Sequence, residues 1–316
     1  MAKRQVGSVF KPIIYSKALI DGKEPCDFIS NQKTVYTQYN DWTPKNSDGN
    51  YEGKYTLLGA LTNSVNTISV HLCMKAGIKN IITYANTLGI TEPLPEVPSL
   101  ALGVSNISLK NMMSAYGTFA KQGAHVEPNS ISTIYNKQNE LIFELETKKE
   151  QLIQPKIAQD ITNMLQSVVN HGTAKRLRYN YHFRGDIAGK TGTTQNHTDG
   201  WLIGYTPEWL GGVWVGADNP LIRFSSIKDG QGANMALPIW ANFYKKLQEE
   251  GLQDSLHFPF ENNLDCPLYK ENTGFEKIFR KRNKRSNKTG FSHYNSQEDT
   301  HRDKKGRKKK KFKLFK

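Results

Sequence analysis

Over 316 residues the sequence holds three cysteines, Cys26, Cys73 and Cys266, and none sits in a CxxC or Cys/His spacing. That pattern offers no zinc ligand set, and three isolated thiols are not expected to form a framework of disulfides in so long a chain. No stretch reaches the about 18 consecutive apolar residues that a membrane-spanning helix requires. The N-terminus is polar and lacks the apolar core of a signal peptide. Excess charge is also scarce outside one region. Residues 1–276 carry 26 Lys/Arg and 26 Asp/Glu, whereas 277–316 carry 17 and 3, which accounts for the formal net charge of +14. A globular part without surplus positive charge lacks the electrostatic footprint of a nucleic-acid binder, so no nucleic-acid partner is expected.

What is present is a long alternation of helical and strand-like segments. A helix is expected from Ser8, because Phe10, Ile13, Ile14 and Ala18 recur at helical spacing, Pro12 falls in the first turn and Gly22 ends the run. Residues 27–55 read as loop, rich in Asn, Asp, Pro and Gly. The apolar TLLGALTNS leads into Ser64-Val65-Asn66, and two Gly-terminated helical stretches follow, TISVHLCMKAG and KNIITYANTLG. Residues 108–122 read as a helix capped by Ser108, with Gly123 just beyond. Residues 130–146 suggest a hairpin broken at NKQNE. The strongest helix opens at Pro155, aligns Ile157, Ile161, Met164, Leu165 and Val168 on one face, and closes at Gly172.

The period then changes. GDIAGKTGTT reads as a strand, and DGWLIGYT and EWLGGVWVGAD read as an antiparallel hairpin around Pro207. A last helix, ALPIWANFYKKLQEE, precedes a polar, basic end. Helices followed by adjacent antiparallel strands predict an α+β fold. The predicted organisation is a domain over 1–270 and a basic, unstructured tail over 271–316. The tail reads as a solubilising end, and its KKGRKKKKFK at 304–313 also suits an anionic membrane or wall polymer.

Three short patterns can carry chemistry. Ser8 and Lys11 sit at i and i+3, on one helix face, where a lysine of lowered proton affinity can take the hydroxyl proton of a serine. The plainer reading is a capping serine and a surface lysine. Ser64 and Asn66 can present a hydroxyl and an amide from an inter-helix loop, or Asn66 can simply cap the next helix. Lys190, Thr191, Gly192 and Thr193 place a cation and two hydroxyls on an edge strand, where Gly192 permits close backbone approach. His171 reads as a helix C-terminal residue, and Asp199 and Trp201 as shaping the strand turn. None of these patterns is specific alone, but SxxK, SxN and KTG in this order form a known set of serine acyl-transfer enzymes.

On these motifs the chain resembles the transpeptidase domain of class A (bifunctional) penicillin-binding proteins. The likeness extends to GSVFKP at 7–12, WTPKNSDGNYEGKYTLLGALTNSVNT at 42–67, PSLALGVSNISLKNMMSAYGTFAKQG at 98–123, HGTAKRLR at 171–178 and GKTGTTQNHTDGWLIGYTP at 189–207. It implies a β-lactamase/transpeptidase-like fold, an antiparallel sheet flanked by helices in three layers. It implies that Ser8 attacks a D-Ala-D-Ala stem peptide, that Lys11 takes its proton, and that Ser64 and Asn66 relay protons and orient the substrate. Lys190, Thr191, Gly192 and Thr193 would set the field and hold the terminal carboxylate, and the backbone N–H groups of Ser8 and Thr193 would form the oxyanion hole. β-Lactams would acylate Ser8. No cofactor or metal is implied.

Such domains usually have strands of the same sheet before the SxxK helix, and class A proteins add a glycosyltransferase domain and a membrane anchor on the extracytoplasmic side. The sequence is therefore expected to be the later part of a longer product, and to fold poorly by itself. The implied activity is D,D-transpeptidation. The alternatives are a D,D-carboxypeptidase or β-lactamase-type hydrolase, and an inactive fragment that only recognises penicillin. The lack of a second carboxylate motif to activate water leans away from β-lactamase.

Overall fold

Pro12 and Pro155 open helices, where the missing N–H costs least, whereas Pro238 lies inside one. Helix α1 (Lys11–Ile20) carries Pro12 in its opening turn, where the missing N–H leaves no bond unmade. There follow α2 (Leu57–Thr62), α3 (Asn66–Ala76), α4 (Ile78–Thr87) and α5 (Leu109–Ala120). Ser108 caps α5 by accepting the Asn111 N–H at 3.3 Å. Then come α6 (Pro155–Asn170), the short α7 (Arg176–Tyr179) and α8 (Ile227–Gly230), and the long α9 (Gly232–Glu249). The expected helix start at Ser8 differs in detail. Gly7–Phe10 form a tighter 3-10 turn, and the α-helix begins only at Lys11.

This computed structural model describes residues 2–271 except 195–197, 218, 220, 253–255 and 263. The tail expected at 271–316 thus lies, from 272 onward, outside the described residues. The described chain forms one unit that ends at Glu271.

Strands β1 (Lys3–Gln5) and β4 (Asn106–Ser108) pair antiparallel. So do β5 (Ala124–His125) with β8 (Glu150–Gln151), and β6 (Thr133–Tyr135) with β7 (Leu141–Glu144), the hairpin anticipated over 130–146. A three-stranded sheet joins β2 (Phe28–Ser30), β3 (Lys54–Thr56) and β12 (Tyr269–Lys270), so the stretch read as loop over 27–55 contains strand at both ends.

The sheet that positions the site runs β9 (Ala188–Thr193), β10 (Asp199–Tyr205), β11 (Leu210–Gly216), antiparallel throughout, with β9 on an edge. The central β10 is buried at every residue, because both of its faces are covered. Gly200 and Gly204 leave room for Met235 and Trp240 of α9 on one face. On the other, Tyr205 shares a 2.9 Å hydrogen bond with Thr162 of α6, and the Trp201 indole donates to Gln5 O at 2.8 Å. Helix, sheet and helix make the three layers expected.

The cysteine reading is corrected. Cys26 and Cys266 form a disulfide across 240 residues, with Cα atoms 5.5 Å apart, while Cys73 is buried and free. No local spacing announces the pair. The fold creates it by laying the 266–270 segment along β3, where the Thr56 hydroxyl donates to Pro267 O at 2.9 Å. Among the described residues, no helix is long and apolar enough to cross a membrane.

Candidate active site

Ser8 sits half-buried in the 3-10 turn and caps no helix, since no side-chain cap bond is made at the start of the turn or of α1. One residue earlier, Gly7 holds φ at +57°, and a Cβ there would lie 2.7 Å from Thr193 O. The serine turn is thereby pressed against the end of β9. Gly192 serves the same contact from the other side. A Cβ on it would meet Val6 O at 2.7 Å, so its smallness admits the serine turn.

Lys11 begins α1 with its side chain directed inward and no exposed surface. Its Nζ donates to Ser64 O at 2.6 Å, Ser64 Oγ at 3.1 Å and Asn66 Oδ1 at 2.6 Å. SxxK and SxN, 53 residues apart in the chain, therefore meet at one ammonium. Burial, and secondarily the charge of Lys190, hold the Lys11 proton affinity well below the ordinary lysine range. Ser64 occupies the α2–α3 joint with φ +56°, a left-handed conformation uncommon for a side-chain-bearing residue. Backbone strain of this kind persists where surrounding contacts over-determine it.

The segment just beyond Ser64 is held by a residue the sequence did not single out. Asn46 Oδ1 accepts the backbone N–H groups of Asn66 at 2.9 Å and Thr67 at 3.1 Å, capping α3 from 20 residues away. Asn66 is thereby freed from capping, and its own amide donates to Lys45 O at 2.7 Å while its carbonyl faces Lys11. Asn46 is in turn held by Asn31 and by the Asn50 carbonyl, at 2.8 and 2.7 Å. In the sequence it sits inside WTPKNSDGNYEG and reads as a turn residue.

Lys190 is also without exposed surface, and burial brings its proton affinity down to about 7. Its Nζ donates to Thr191 O at 3.0 Å. Among the described residues neither buried lysine has a carboxylate within ion-pair distance. Thr191 donates its hydroxyl proton to Thr173 at 2.7 Å, and the Gly232 N–H at the start of α9 donates to Thr193 Oγ1 at 3.1 Å.

These groups open onto one cleft of about 380 Å³, lined by Ser8, Ser64, Asn66, Thr173, Thr191 and Thr193 together with Ser47, Asn63, Thr194, Gln231 and Ala233. Lys11 and Lys190, both buried, and Gly192 are not among its lining residues. A second cavity of about 310 Å³, lined by Asn163, Ser167 and Asp265 among others, holds none of the motif residues. His171 ends α6, as expected. Asp199 accepts from the Thr198 hydroxyl at 2.7 Å and the Trp214 indole at 2.9 Å, which ties the start of β10 to β11, while residues 195–197 of the turn expected there lie outside the described residues. Among the described residues no cluster of His, Cys, Asp and Glu is arranged to hold a metal.

A buried lysine shared by two serine-motif residues, facing a hydroxyl-lined cleft, is suited to activating a serine for acyl transfer. Comparison with known proteins points the same way. Residues 2–245 match the family described as penicillin binding protein transpeptidase domain. The chain is 33% identical over 264 residues to penicillin-binding protein 1A of Aquifex aeolicus, covering 83% of this chain and 35% of that protein. It is 33% identical over 268 residues to the protein of the same name from Neisseria cinerea, covering 82% and 33%. The chain thus spans about a third of the length of these curated relatives. Among solved structures, penicillin-binding protein 1A from Haemophilus influenzae superposes with TM-score 0.73 at 24% identity, over 81% of this chain and 44% of that one. PonA1 from Mycobacterium tuberculosis gives 0.71 at 22% identity, over 86% and 77%. Penicillin-binding protein A from the same organism, solved as a ceftriaxone acyl-enzyme, gives 0.64 at 21%, over 77% and 60%.

Proposed function

The chain belongs to the penicillin-binding protein transpeptidase domain family, and from that premise we propose that it is a serine D,D-transpeptidase that crosslinks peptidoglycan stem peptides and is a target of β-lactams. Ser8 Oγ attacks the carbonyl carbon between the two terminal D-alanines. The C–N bond breaks, the last D-alanine leaves with a proton, and Ser8 carries the remaining peptide as an ester. An amine from a second stem peptide then displaces Ser8, forming the crosslinking amide and returning the serine proton.

The observation that carries this reading is the Lys11 amine, buried between Ser64 and Asn66 with its proton affinity lowered. Once neutral, Lys11 can take the Ser8 proton. Of its three partners only the Ser64 hydroxyl can give a proton back, so Ser64 is the relay towards the leaving amine. Asn66 orients Lys11 and the substrate amide, and Lys190 supplies positive potential under the carboxylate end of the cleft. The N–H groups of Ser8 and Thr193 are the oxyanion donors, each worth about 3–4 kcal/mol in sites of this kind. Their placement rests on the close fit of the Gly7 turn against Thr193.

Among the described residues lining the cleft there is no Asp or Glu, which supports an amine rather than an activated water as acyl acceptor. The Cys26–Cys266 bridge supports an oxidising, extracytoplasmic compartment. There the domain would act beside a glycosyltransferase module and membrane anchor, as in class A proteins.

Fluorescent penicillin tests the reading. A stable covalent label that disappears in Ser8→Ala supports it. Rapid loss of the label indicates hydrolysis, and no label on folded protein refutes acylation.

A further inference from the structure

Helix α6 buries Ile161, Leu165 and Val168 in the core. Asn163, Ser167, Asn170 and His171 recur at helical spacing on another face, and all four line the cavity of about 310 Å³ that lies outside the motif cleft. Leu58, Leu264 and Leu268 supply its apolar lining. Among the described residues that line it, Asp265 is the one carboxylate, and there is no Lys or Arg.

Asn163 is only 4% exposed, yet its Oδ1 has no hydrogen-bond partner among the described residues. Buried polar atoms are nearly always paired, so a bare acceptor on a cavity wall marks a place for an outside donor. Asn170 gives its own oxygen to Arg178 Nε at 2.9 Å, which leaves its amide hydrogens to offer. The walls are fixed before a ligand arrives. Asn262 donates to Gln166 Oε1 at 3.1 Å, the Cys26–Cys266 bridge anchors the segment that carries Leu264 and Leu268, and Gly59 packs against Leu268 O with no room for a side chain.

We infer that this cavity binds one ring of a neutral saccharide. An anion finds no lining cation there, and a hard divalent cation needs more oxygen ligands than one carboxylate and one amide supply. A sugar ring fits the inventory, because its edge bears hydroxyls that both donate and accept while its C–H faces are apolar. Its hydroxyls donate to Asn163 Oδ1 and Asp265 and accept from Asn170, and a C–H face rests on the leucines. His171 lines the cavity and Thr173 lines the cleft, so along the chain only Gly172 separates the two walls. Identifying the sugar with the N-acetylated glycan that carries the stem peptides rests on the transpeptidase reading; the site itself does not.

The test titrates the protein with N,N′-diacetylchitobiose and follows binding by saturation-transfer NMR. Wild type is expected to bind saturably. Asn163→Leu, close in size but without the acceptor, should weaken binding about tenfold, the scale of one buried hydrogen bond. Leu264→Trp, which fills the cavity from a half-buried position, should abolish binding. Thermal unfolding and penicillin labelling should show both variants folded and the cleft intact. Protein already acylated by penicillin should bind the sugar as well as free protein does. Three results overturn the inference: no binding by wild type, which leaves a cavity for water only; equal binding by wild type and both variants; or loss of binding on acylation, which places the sugar in the cleft. An N-acetylated dialanine peptide that binds in place of the sugar and is displaced by Leu264→Trp overturns it as well. Failure of penicillin to acylate the wild type defeats the transpeptidase reading, while the two variants still decide the cavity.

Discussion

Asn46 Oδ1 lies 2.9 Å from the backbone nitrogen of Asn66, and through that bond a residue of an irregular loop sets the position of the amide that faces Lys11. Asn46→Ala removes the acceptor for two N–H groups at the start of α3. Loss of such a cap costs roughly 1–2 kcal/mol. Thermal unfolding should shift down by a few degrees. Penicillin acylation of the folded protein should fall further than stability does, because Ser64 and Asn66 lose their register against Lys11.

The two buried lysines predict a pH profile. Both are pushed below the ordinary lysine range, Lys11 by burial and then by Lys190, and Lys190 by burial. Acylation should rise as pH passes through the lowered Lys11 value. Lys190→Met removes the neighbouring cation, so the rising limb should move to higher pH. Stability should show the same sign. A lysine whose folded value is depressed binds fewer protons than the unfolded chain in the interval between the two values, so folding strengthens as pH rises there. For Lys190 that interval starts at about 7. The gain is expected between about pH 7 and 8.5, before the unfolded thiol begins to ionise. Burial raises Cys73 to about 12 and raises Tyr15, Tyr84, Tyr116 and Tyr205, so these groups reverse the trend at higher pH. Urea melts across this range would sink the argument if stability fell between pH 7 and 8.5.

Reduction of Cys26–Cys266 gives a third test. The bridge closes 240 residues, and a loop of that size contributes on the order of 5 kcal/mol by its effect on the unfolded chain. Cys266→Ser, or a reductant, should lower the unfolding temperature by more than 10 °C. Neither cysteine lines the cleft, so molecules that remain folded should acylate at an unchanged rate.

How much of this was legible in the sequence follows from where the information sits. SxxK, SxN and KTG could be placed because each lies at the edge of a segment with clear period and clear stops, such as Pro12, Gly77 and Gly172. Their order carried the resemblance. The disulfide could not be read, since Cys26 and Cys266 have no local signature and meet only through tertiary pairing of β3 with β12. Asn46 was hidden for a related reason. In a Pro-, Asp- and Gly-rich loop an asparagine looks like a turn residue, and its partners lie 20 residues on. Gly192 was legible as a close-approach position, but what approaches it is the serine turn.

The fit of the serine turn on β9 gives the last test. Gly7→Ala imposes two costs at once, a side chain at φ +57° and a Cβ 2.7 Å from Thr193 O. The first is intrinsic to the backbone and typically about 1–2 kcal/mol. The second requires Ser8 and Thr193 to separate, which opens the oxyanion site. Gly22→Ala separates the two effects, since Gly22 has φ +86° and nothing within 4 Å of its Cβ position. Gly22→Ala should lower stability by about the backbone cost and leave penicillin acylation intact. Gly7→Ala should lower stability by more and reduce acylation on the order of a hundredfold, the scale of losing one oxyanion donor. Equal acylation rates in the two variants would mean that the contact between the turn and the strand does not set the geometry of the reaction.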